Sequence, residues 1–225
     1  MQITYLGHAC LSISIHDKVL LVDPFISGNP SAKHINCDEL HVDYILITHA
    51  HQDHILDVEA IAKRTGAKII SNYEIAMHYI AKNFDAHPVN HGGTCIFDDI
   101  SIKYVNAVHT SSFPDGSYGG QPGGFVISYK NKSIYIAGDT AVTFDMKLIP
   151  MQTKLDLAVL PIGDNFTMGV EDAIIASEFV ECNKVLGCHY NTFPPIVIDE
   201  KEAVKKFKLA DKELILLEIG KSISI

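Results

Sequence analysis

The sequence of 225 residues lacks the long apolar run that a membrane-spanning helix needs, and it lacks an excess of positive charge. Its longest apolar stretches have the length of a strand, well short of the roughly 18–20 residues that span a bilayer. Its 18 Lys and Arg residues against 27 Asp and Glu residues give a net charge of −9. Such a surface repels phosphate backbones and anionic headgroups, so neither nucleic acid nor a membrane is expected as the main partner.

The sequence contains few cysteines, and their spacing shows no paired motif. The five cysteines are widely spaced and form no Cys-x-x-Cys motif, which argues against a disulfide framework and a zinc ribbon. The N-terminal stretch MQITYLGHACLSISI places no Lys or Arg before an apolar segment. We therefore expect no secretory signal, and a cytoplasmic protein.

The order of apolar patterns predicts the fold class. Hydrophobic residues make up 47% of the chain and charged residues 20%, which is ordinary for a globular protein, and the length fits a single domain over residues 1–225. Each half begins with strand patterns and continues with alternating strand and helix patterns. This order predicts an α/β (α+β) fold built as a four-layer αββα sandwich. The spacing also predicts helices over 55–65 and 140–149, and a glycine-rich loop over 109–124.

Three histidines and one aspartate stand together after the predicted buried strand 42–48. The segment HAHQDH supplies His49, His51, Asp53 and His54. Side chains two residues apart in an extended stretch point to the same side, so His49 and His51 can reach one metal ion. Asp53 and His54 lie where the chain turns toward a helix, and they suit a second ion. Imidazole and carboxylate ligands without thiolate suit Zn, Mn, Fe or Ni.

Four ligands cannot fill two metal sites, so this interpretation requires further ligands elsewhere in the chain. His109, Asp139 and His189 each follow a predicted strand. Strand ends are where α/β proteins assemble their sites. We therefore expect these three side chains to complete the cluster.

The pattern H-x-H-x-D-H, followed by a His, an Asp and a His, resembles the metallo-β-lactamase superfamily. Further segments resemble its group of small metal-dependent hydrolases, which is akin to L-ascorbate-6-phosphate lactonase and N-acyl-phosphatidylethanolamine phospholipase D. These segments are Gly7-His8-Ala9-Cys10, Val22-Asp23-Pro24-Phe25, Gly28-Asn29-Pro30 and His189-Tyr190-Asn191-Thr192-Phe193-Pro194. The resemblance covers essentially the whole chain and implies the αββα metallo-β-lactamase-like fold.

The resemblance also implies a role for each ligand position. It assigns one metal ion to His49, His51 and His109, and the other to Asp53, His54 and His189. Asp139 is implied as the bridge between the two ions, and Asp23 as a residue that orients ligands without binding metal itself.

We therefore expect a hydrolase with two divalent ions, zinc first, with manganese, iron or nickel as alternatives. Two such ions and two carboxylates leave a formal charge of about +2 at the site, which attracts an anionic substrate. A metal-bound hydroxide, oriented by the catalytic Asp53, would attack a small ester, lactone, amide or phosphodiester. An iron-dependent oxidoreductase of the persulfide-dioxygenase type and a non-catalytic metal or ligand sensor are the alternatives. A homo-oligomer is also compatible with the sequence.

Four further residues are candidates for the substrate cleft. His8 is close in sequence to the strand system, although a packed strand-end histidine is an equal alternative. The glycine-rich loop contributes Ser111, Ser112 and Tyr118. Polar side chains in such loops often contact ligands.

Overall fold

The computed structural model describes residues 1–225 and contains two seven-stranded mixed sheets flanked by helices. The strands of the first sheet are β1 (Gln2–Gly7), β2 (Cys10–Ile15), β3 (Lys18–Val22), β4 (Tyr44–Leu46), β5 (Lys68–Ser71), β6 (Ala86–Pro88) and β14 (Ser222–Ser224). Those of the second are β7 (Thr94–Phe97), β8 (Ile100–Asn106), β9 (Gly123–Tyr129), β10 (Lys132–Ile136), β11 (Leu157–Pro161), β12 (Lys184–Cys188) and β13 (Glu213–Ile215). The α-helices are α1 (Gln52–Ile55), α2 (Val58–Thr65), α3 (Tyr73–Ala81), α4 (Val170–Phe179) and α5 (Glu200–Leu209).

The two sheets repeat one topology. The first has the order β14-β1-β2-β3-β4-β5-β6, with antiparallel pairs up to β3 and parallel pairs from β3 to β6. The second has the order β13-β12-β11-β10-β9-β8-β7, parallel from β13 to β10 and antiparallel beyond. Each half therefore contains a meander followed by β-α-β units, which confirms the alternation read from the sequence.

Three buried clusters define the four layers. One fills the space between the sheets and includes Leu46 from the first sheet and Phe125 from the second. A second packs α4 and α5 on the outer face of the second sheet, and a third packs α2 and α3 on the outer face of the first. The predicted αββα sandwich is thus confirmed. No helix of the structure is both long enough and apolar enough to cross a bilayer.

The predicted helix over 55–65 is divided in two. The chain leaves the helical conformation at Asp57, between α1 and α2, and Gly66 ends α2 in the left-handed conformation as its C-cap. The buried Asp57 carboxylate accepts hydrogen bonds from the backbone N–H groups of Ile26 and Ser27, at 2.6 and 2.9 Å. These bonds fasten the loop after β3 to the start of α2, a tertiary contact that apolar spacing does not reveal.

Three further elements differ from the sequence-based expectation. The helix expected over 140–149 is a short 3-10 helix, Phe144–Leu148. The edge strands β6 and β14 were not predicted, because each has only three residues and neither contains a buried side chain. Edge strands this short carry too little apolar alternation to be detected.

The buried Tyr104 connects the inter-sheet core to the chain just before His49. Its hydroxyl donates to the Thr48 carbonyl oxygen at 2.8 Å. We expect Tyr104→Phe to lower the free energy of unfolding by about 1 kcal/mol, because one buried hydrogen bond is lost while the ring is kept. Urea denaturation measures this change. The exposed Tyr73 is the matched control, and an equal loss in Tyr73→Phe would contradict the prediction.

Candidate metal centre

The seven side chains predicted as ligands lie together at one edge of the sandwich. The segment from His49 to His54 follows β4, which runs parallel to its neighbours in the first sheet. His109 follows β8, Asp139 follows β10 and His189 follows β12 in the second sheet. Strand ends of both sheets therefore meet at a common site, and the ligand residues come from both halves of the chain.

His49, His51 and His109 form a first group whose potential ligand atoms all lie within 4.8 Å of one another. The Nε2 atom of His49 is 3.1 Å from the Nδ1 atom of His51. His49 is fully buried, whereas His51 and His109 are half-buried. This group could hold one metal ion and leave a side open to solvent.

A second group contains Asp53, His54 and His189, and the structure adds His8 to it. The Oδ2 atom of Asp53 is 3.9 Å from the Nε2 atoms of both His54 and His189. It is closer to His8, at 3.1 Å from Nε2. His8 was expected either at the substrate cleft or as a packed strand-end histidine, and its fully buried ring agrees with the second alternative.

Asp139 lies between the two groups. Its Oδ2 atom is 3.0 Å from His189 Nε2 and 3.3 Å from His54 Nε2. The same oxygen is 3.7 Å from His109 Nε2 and 3.9 Å from His49 Nε2. One buried carboxylate oxygen thus faces histidines of both groups.

Asp23 and Thr48 set the orientation of two of these histidines. His54 Nδ1 donates to Asp23 Oδ2 at 2.9 Å, which directs His54 Nε2 toward Asp139. The Thr48 hydroxyl donates to the same oxygen at 2.6 Å and lies 3.0 Å from His49 Nδ1, from which it can accept. A carboxylate that fixes the ring orientation of metal-binding histidines is common around such sites. Thr48 was missed by sequence reasoning, although it directly precedes the histidine motif.

The electrostatics place most of the cluster in the protonation state that metal ligands need. Burial lowers the pKa of His49, His51 and His109, and neighbouring imidazoles lower it further. Burial would raise the pKa of Asp139, but the imidazoles of His189 and His54 hold it well below its usual value. Burial would also raise the pKa of Asp53, but the hydrogen bond from His8 and the nearby imidazoles of His54 and His8 together lower it. Neutral imidazoles and ionised carboxylates are the ligand forms.

The pKa of His54 is shifted in the opposite direction. Burial disfavours its charged form, but the carboxylates of Asp139 and Asp23 on its two sides raise its pKa well above the usual value. This point of the site therefore favours a positive charge. A cation held by His54 and Asp139 would supply that charge without protonation of the ring.

Several buried polar atoms of the cluster have no hydrogen-bond partner. They are Asp139 Oδ1, His54 Nε2 and both ring nitrogens of His189. Buried polar atoms are rarely left unpaired, because desolvation without a new bond is costly. Nitrogen and oxygen atoms that converge without protein partners are what a divalent ion requires, so the residues present fit a metal centre.

The glycine-rich loop is fastened to the motif segment. The Ser111 hydroxyl donates to the Gly119 carbonyl oxygen and accepts from the Ala50 N–H, at 2.9 and 3.1 Å. Ser112 is half-buried and pairs with Tyr118, which is 65% exposed. Contact of Ser111, Ser112 and Tyr118 with a substrate remains a prediction.

Asn72 holds the far end of the loop. Its side-chain amide donates to the carbonyl oxygens of Gly119 and Gln121, at 2.8 and 3.1 Å, while its side-chain oxygen accepts from the Ile75 N–H and caps α3. Gly120 adopts a left-handed φ of +74° against this side chain. The segment that carries His109 is therefore anchored at both ends.

Comparison with known proteins agrees with this geometry. A family model described as a beta-lactamase superfamily domain matches residues 2–189. The chain therefore belongs to the metallo-β-lactamase superfamily and is a metal-dependent hydrolase, as the sequence resemblance predicted.

Individual relatives cover the whole chain. A UPF0173 metal-dependent hydrolase of Christiangramia forsetii is 64% identical over 226 residues, which are 100% of each chain. One of Methylacidiphilum infernorum is 46% identical over 99% of each chain. The structure of Igni18, a metallo hydrolase of the archaeon Ignicoccus hospitalis, superposes with a TM-score of 0.90 at 33% identity and covers 99% of this chain and 97% of its own.

The hydrogen bonds of Asp23 generate a prediction about metal affinity. Asp23→Asn should weaken metal binding about 10- to 100-fold. Both oxygens of Asp23 accept hydrogen bonds, Oδ1 from the Thr48 N–H and Oδ2 from His54 and the Thr48 hydroxyl, whereas an amide has only one accepting oxygen. Competition with a chelating dye measures the affinity. Asp38→Asn, on the exposed 3-10 helix Cys37–Glu39, is the control and should bind metal like the unaltered protein. Equal affinity in the two variants would show that Asp23 has no orienting role.

Proposed function

We propose that this protein holds two divalent ions and hydrolyses a small ester, lactone, amide or phosphodiester. The observation that carries the proposal is the position of Asp139 Oδ2, which lies within 3.9 Å of imidazole nitrogens from both ligand groups. A carboxylate shared in this way suits a pair of closely spaced ions.

The proposed ligands follow the two groups. His49, His51 and His109 would hold one ion, Asp53, His54 and His189 the other, and Asp139 would bridge them. Zinc is our first choice, and the same ligand set accepts manganese, iron or nickel. Divalent ions held there would lower the pKa of water to about 7 and polarise the carbonyl or phosphoryl oxygen of the substrate.

Asp53 is the carboxylate best placed to handle a proton. Its side chain is 31% exposed, whereas that of Asp139 is 3% exposed. A proton accepted by Asp53 can therefore leave to solvent. We assign Asp53 the role of orienting the attacking water and accepting its proton.

The loops around the site limit the charge of the substrate. Lys and Arg are absent from the segments 23–31, 47–56, 107–122, 137–146, 162–169 and 189–199, which follow strands at the ligand edge. The same segments present exposed carboxylates at Asp115, Asp145, Asp164 and Asp199. Metal ions can neutralise the reacting group, but these loops offer no cation for a second negative group. We therefore propose a substrate with at most one negative charge, located on the reacting group.

Removal of proposed ligands tests the dinuclear site. His51→Ala and Asp139→Ala should each reduce the metal content from two ions per chain to one or none. We expect kcat/KM to fall by more than about 100-fold, because the charge that stabilises the transition state is lost. Elemental analysis and turnover of an activated ester and a phosphodiester measure the two effects.

His16→Ala is the matched control, because the His16 side chain is 75% exposed and far from the ligand motif in sequence. Two ions retained in both ligand variants would refute the ligand assignment. A single ion in the unaltered protein would refute the dinuclear site. Iron in the purified protein, with oxygen consumed in the presence of a thiol, would favour the oxidoreductase alternative instead.

The charge of the loops predicts a preference between phosphate esters. We expect the diester bis(p-nitrophenyl) phosphate to be hydrolysed with a kcat/KM at least about tenfold higher than that of the monoester p-nitrophenyl phosphate, a difference of about 1.4 kcal/mol. The second negative charge of the monoester would face the carboxylates of the loops, which contain no basic side chain. Initial rates at low ionic strength measure the ratio, with Asp139→Ala as the blank. Faster hydrolysis of the monoester would contradict the proposed charge limit.

A further inference from the structure

The Gly7-His8 motif forms the turn between β1 and β2, and the proposed reaction gives it no role. Both residues have a positive φ, +100° for Gly7 and +56° for His8. Such a conformation is unfavourable for a histidine and persists only where surrounding contacts enforce it. The turn places the His8 ring, which is fully buried, against the second ligand group.

Contacts surround His8 on every side. Its carbonyl oxygen accepts from the His189 N–H at 2.8 Å, and the two rings lie with centroids 4.1 Å apart. Phe25 and Phe193 pack against the ring edge-on, at 5.5 and 5.4 Å. The ring therefore has one fixed orientation, with Nε2 toward Asp53 and Nδ1 toward Thr192.

Hydrogen bonding defines which nitrogen of His8 carries the proton. Nε2 is 3.1 Å from Asp53 Oδ2, and Nδ1 is 3.0 Å from Thr192 Oγ1. An ionised carboxylate only accepts, so a neutral ring must carry its proton on Nε2. Nδ1 is then an acceptor, and it lies closer to the Thr192 hydroxyl, at 3.0 Å, than does the Tyr190 carbonyl oxygen, at 3.3 Å, so we assign the hydroxyl proton to Nδ1. The result is a directed chain from Thr192 through His8 to Asp53.

Asp53 depends on this chain. It lies on the four-residue helix α1, and the bond from His8 is the one hydrogen bond that its carboxylate receives from the protein. The other nitrogens near Asp53 Oδ2, those of His54 and His189, are 3.9 Å away. Without His8 no hydrogen bond from the protein would fix the orientation of this carboxylate.

We infer that His8 is a positioning residue that holds Asp53 in its reactive orientation by a hydrogen bond from Nε2, with its own tautomer fixed by Thr192. The inference rests on the proposed function for its kinetic consequence, whereas the hydrogen-bond chain itself does not. His8 is in this view neither a metal ligand nor a contact of the substrate.

Kinetics and metal content of the zinc-loaded protein test the role. His8→Ala should keep two zinc ions per chain while kcat falls about 10- to 100-fold with KM nearly unchanged. His8→Gln, whose amide can donate, should recover part of the loss, which a purely structural role would not predict. Thr192→Val should lower kcat in the same direction, and Thr192→Ser, which keeps the hydroxyl, should match the unaltered protein.

The tautomer of His8 gives a readout independent of activity. In zinc-loaded protein labelled with ¹⁵N in its histidines, NMR should show the His8 proton on Nε2, with a signal that disappears in His8→Ala and shifts in Thr192→Val. A proton on Nδ1 would overturn the inference, since Nε2 would then face Asp53 with a lone pair.

The remaining outcomes are also decisive. Loss of one zinc ion in His8→Ala would make His8 a ligand, and an unchanged kcat in Thr192→Val would show that the chain is not needed. If His8→Ala does not fold, the kcat of Thr192→Val and the NMR signal of the unaltered protein decide whether His8 has the positioning role. If the unaltered zinc-loaded protein hydrolyses no ester or phosphodiester, the proposed function fails, whereas the tautomer still tests the hydrogen-bond chain.

Discussion

The buried ring of His54 lies between two carboxylates, and the arrangement of the site depends on this contact. Asp23 is 2.9 Å from Nδ1 and Asp139 is 3.3 Å from Nε2. All three side chains are almost completely buried. Two carboxylates removed from water impose a large desolvation cost unless positive charge is close to them. A cation bound at this point would offset that cost, so metal binding would also stabilise the fold.

The topology explains how the candidate ligands from distant parts of the chain reach one site. The parallel strands of each sheet end at the same edge of that sheet. The apolar core between the sheets fixes these two edges relative to each other. His49 from the first half and His189 from the second come together for this reason. The contacts that connect the halves directly at the site are short and polar, such as the His189 N–H bond to the His8 carbonyl oxygen.

Much of the site could be predicted from the sequence, because the candidate ligands lie in short segments whose residue types and spacing are visible locally. The motif from His49 to His54 has ligand types at ligand spacing, and His109, Asp139 and His189 stand directly after strands that apolar patterns identify. The αββα layering followed from the same patterns. What escaped prediction depends on packing between segments distant in sequence: the break between α1 and α2, the link from Asp23 through Thr48, and the pairing of His8 with Thr192 across 184 positions.

Three of the thirteen non-glycine residues with a positive φ lie at the site. His8, Asp23 and His189 all adopt a positive φ, of +56°, +44° and +54°. Glycine or asparagine would occupy such positions at lower cost, and none of the three side chains serves the hydrophobic core. Each instead directs a polar side chain into the same buried cluster, from three different strand ends. The chain keeps strained turns, buried carboxylates and unpaired nitrogens at one point, and the ligand chemistry of a metal centre accounts for all three together.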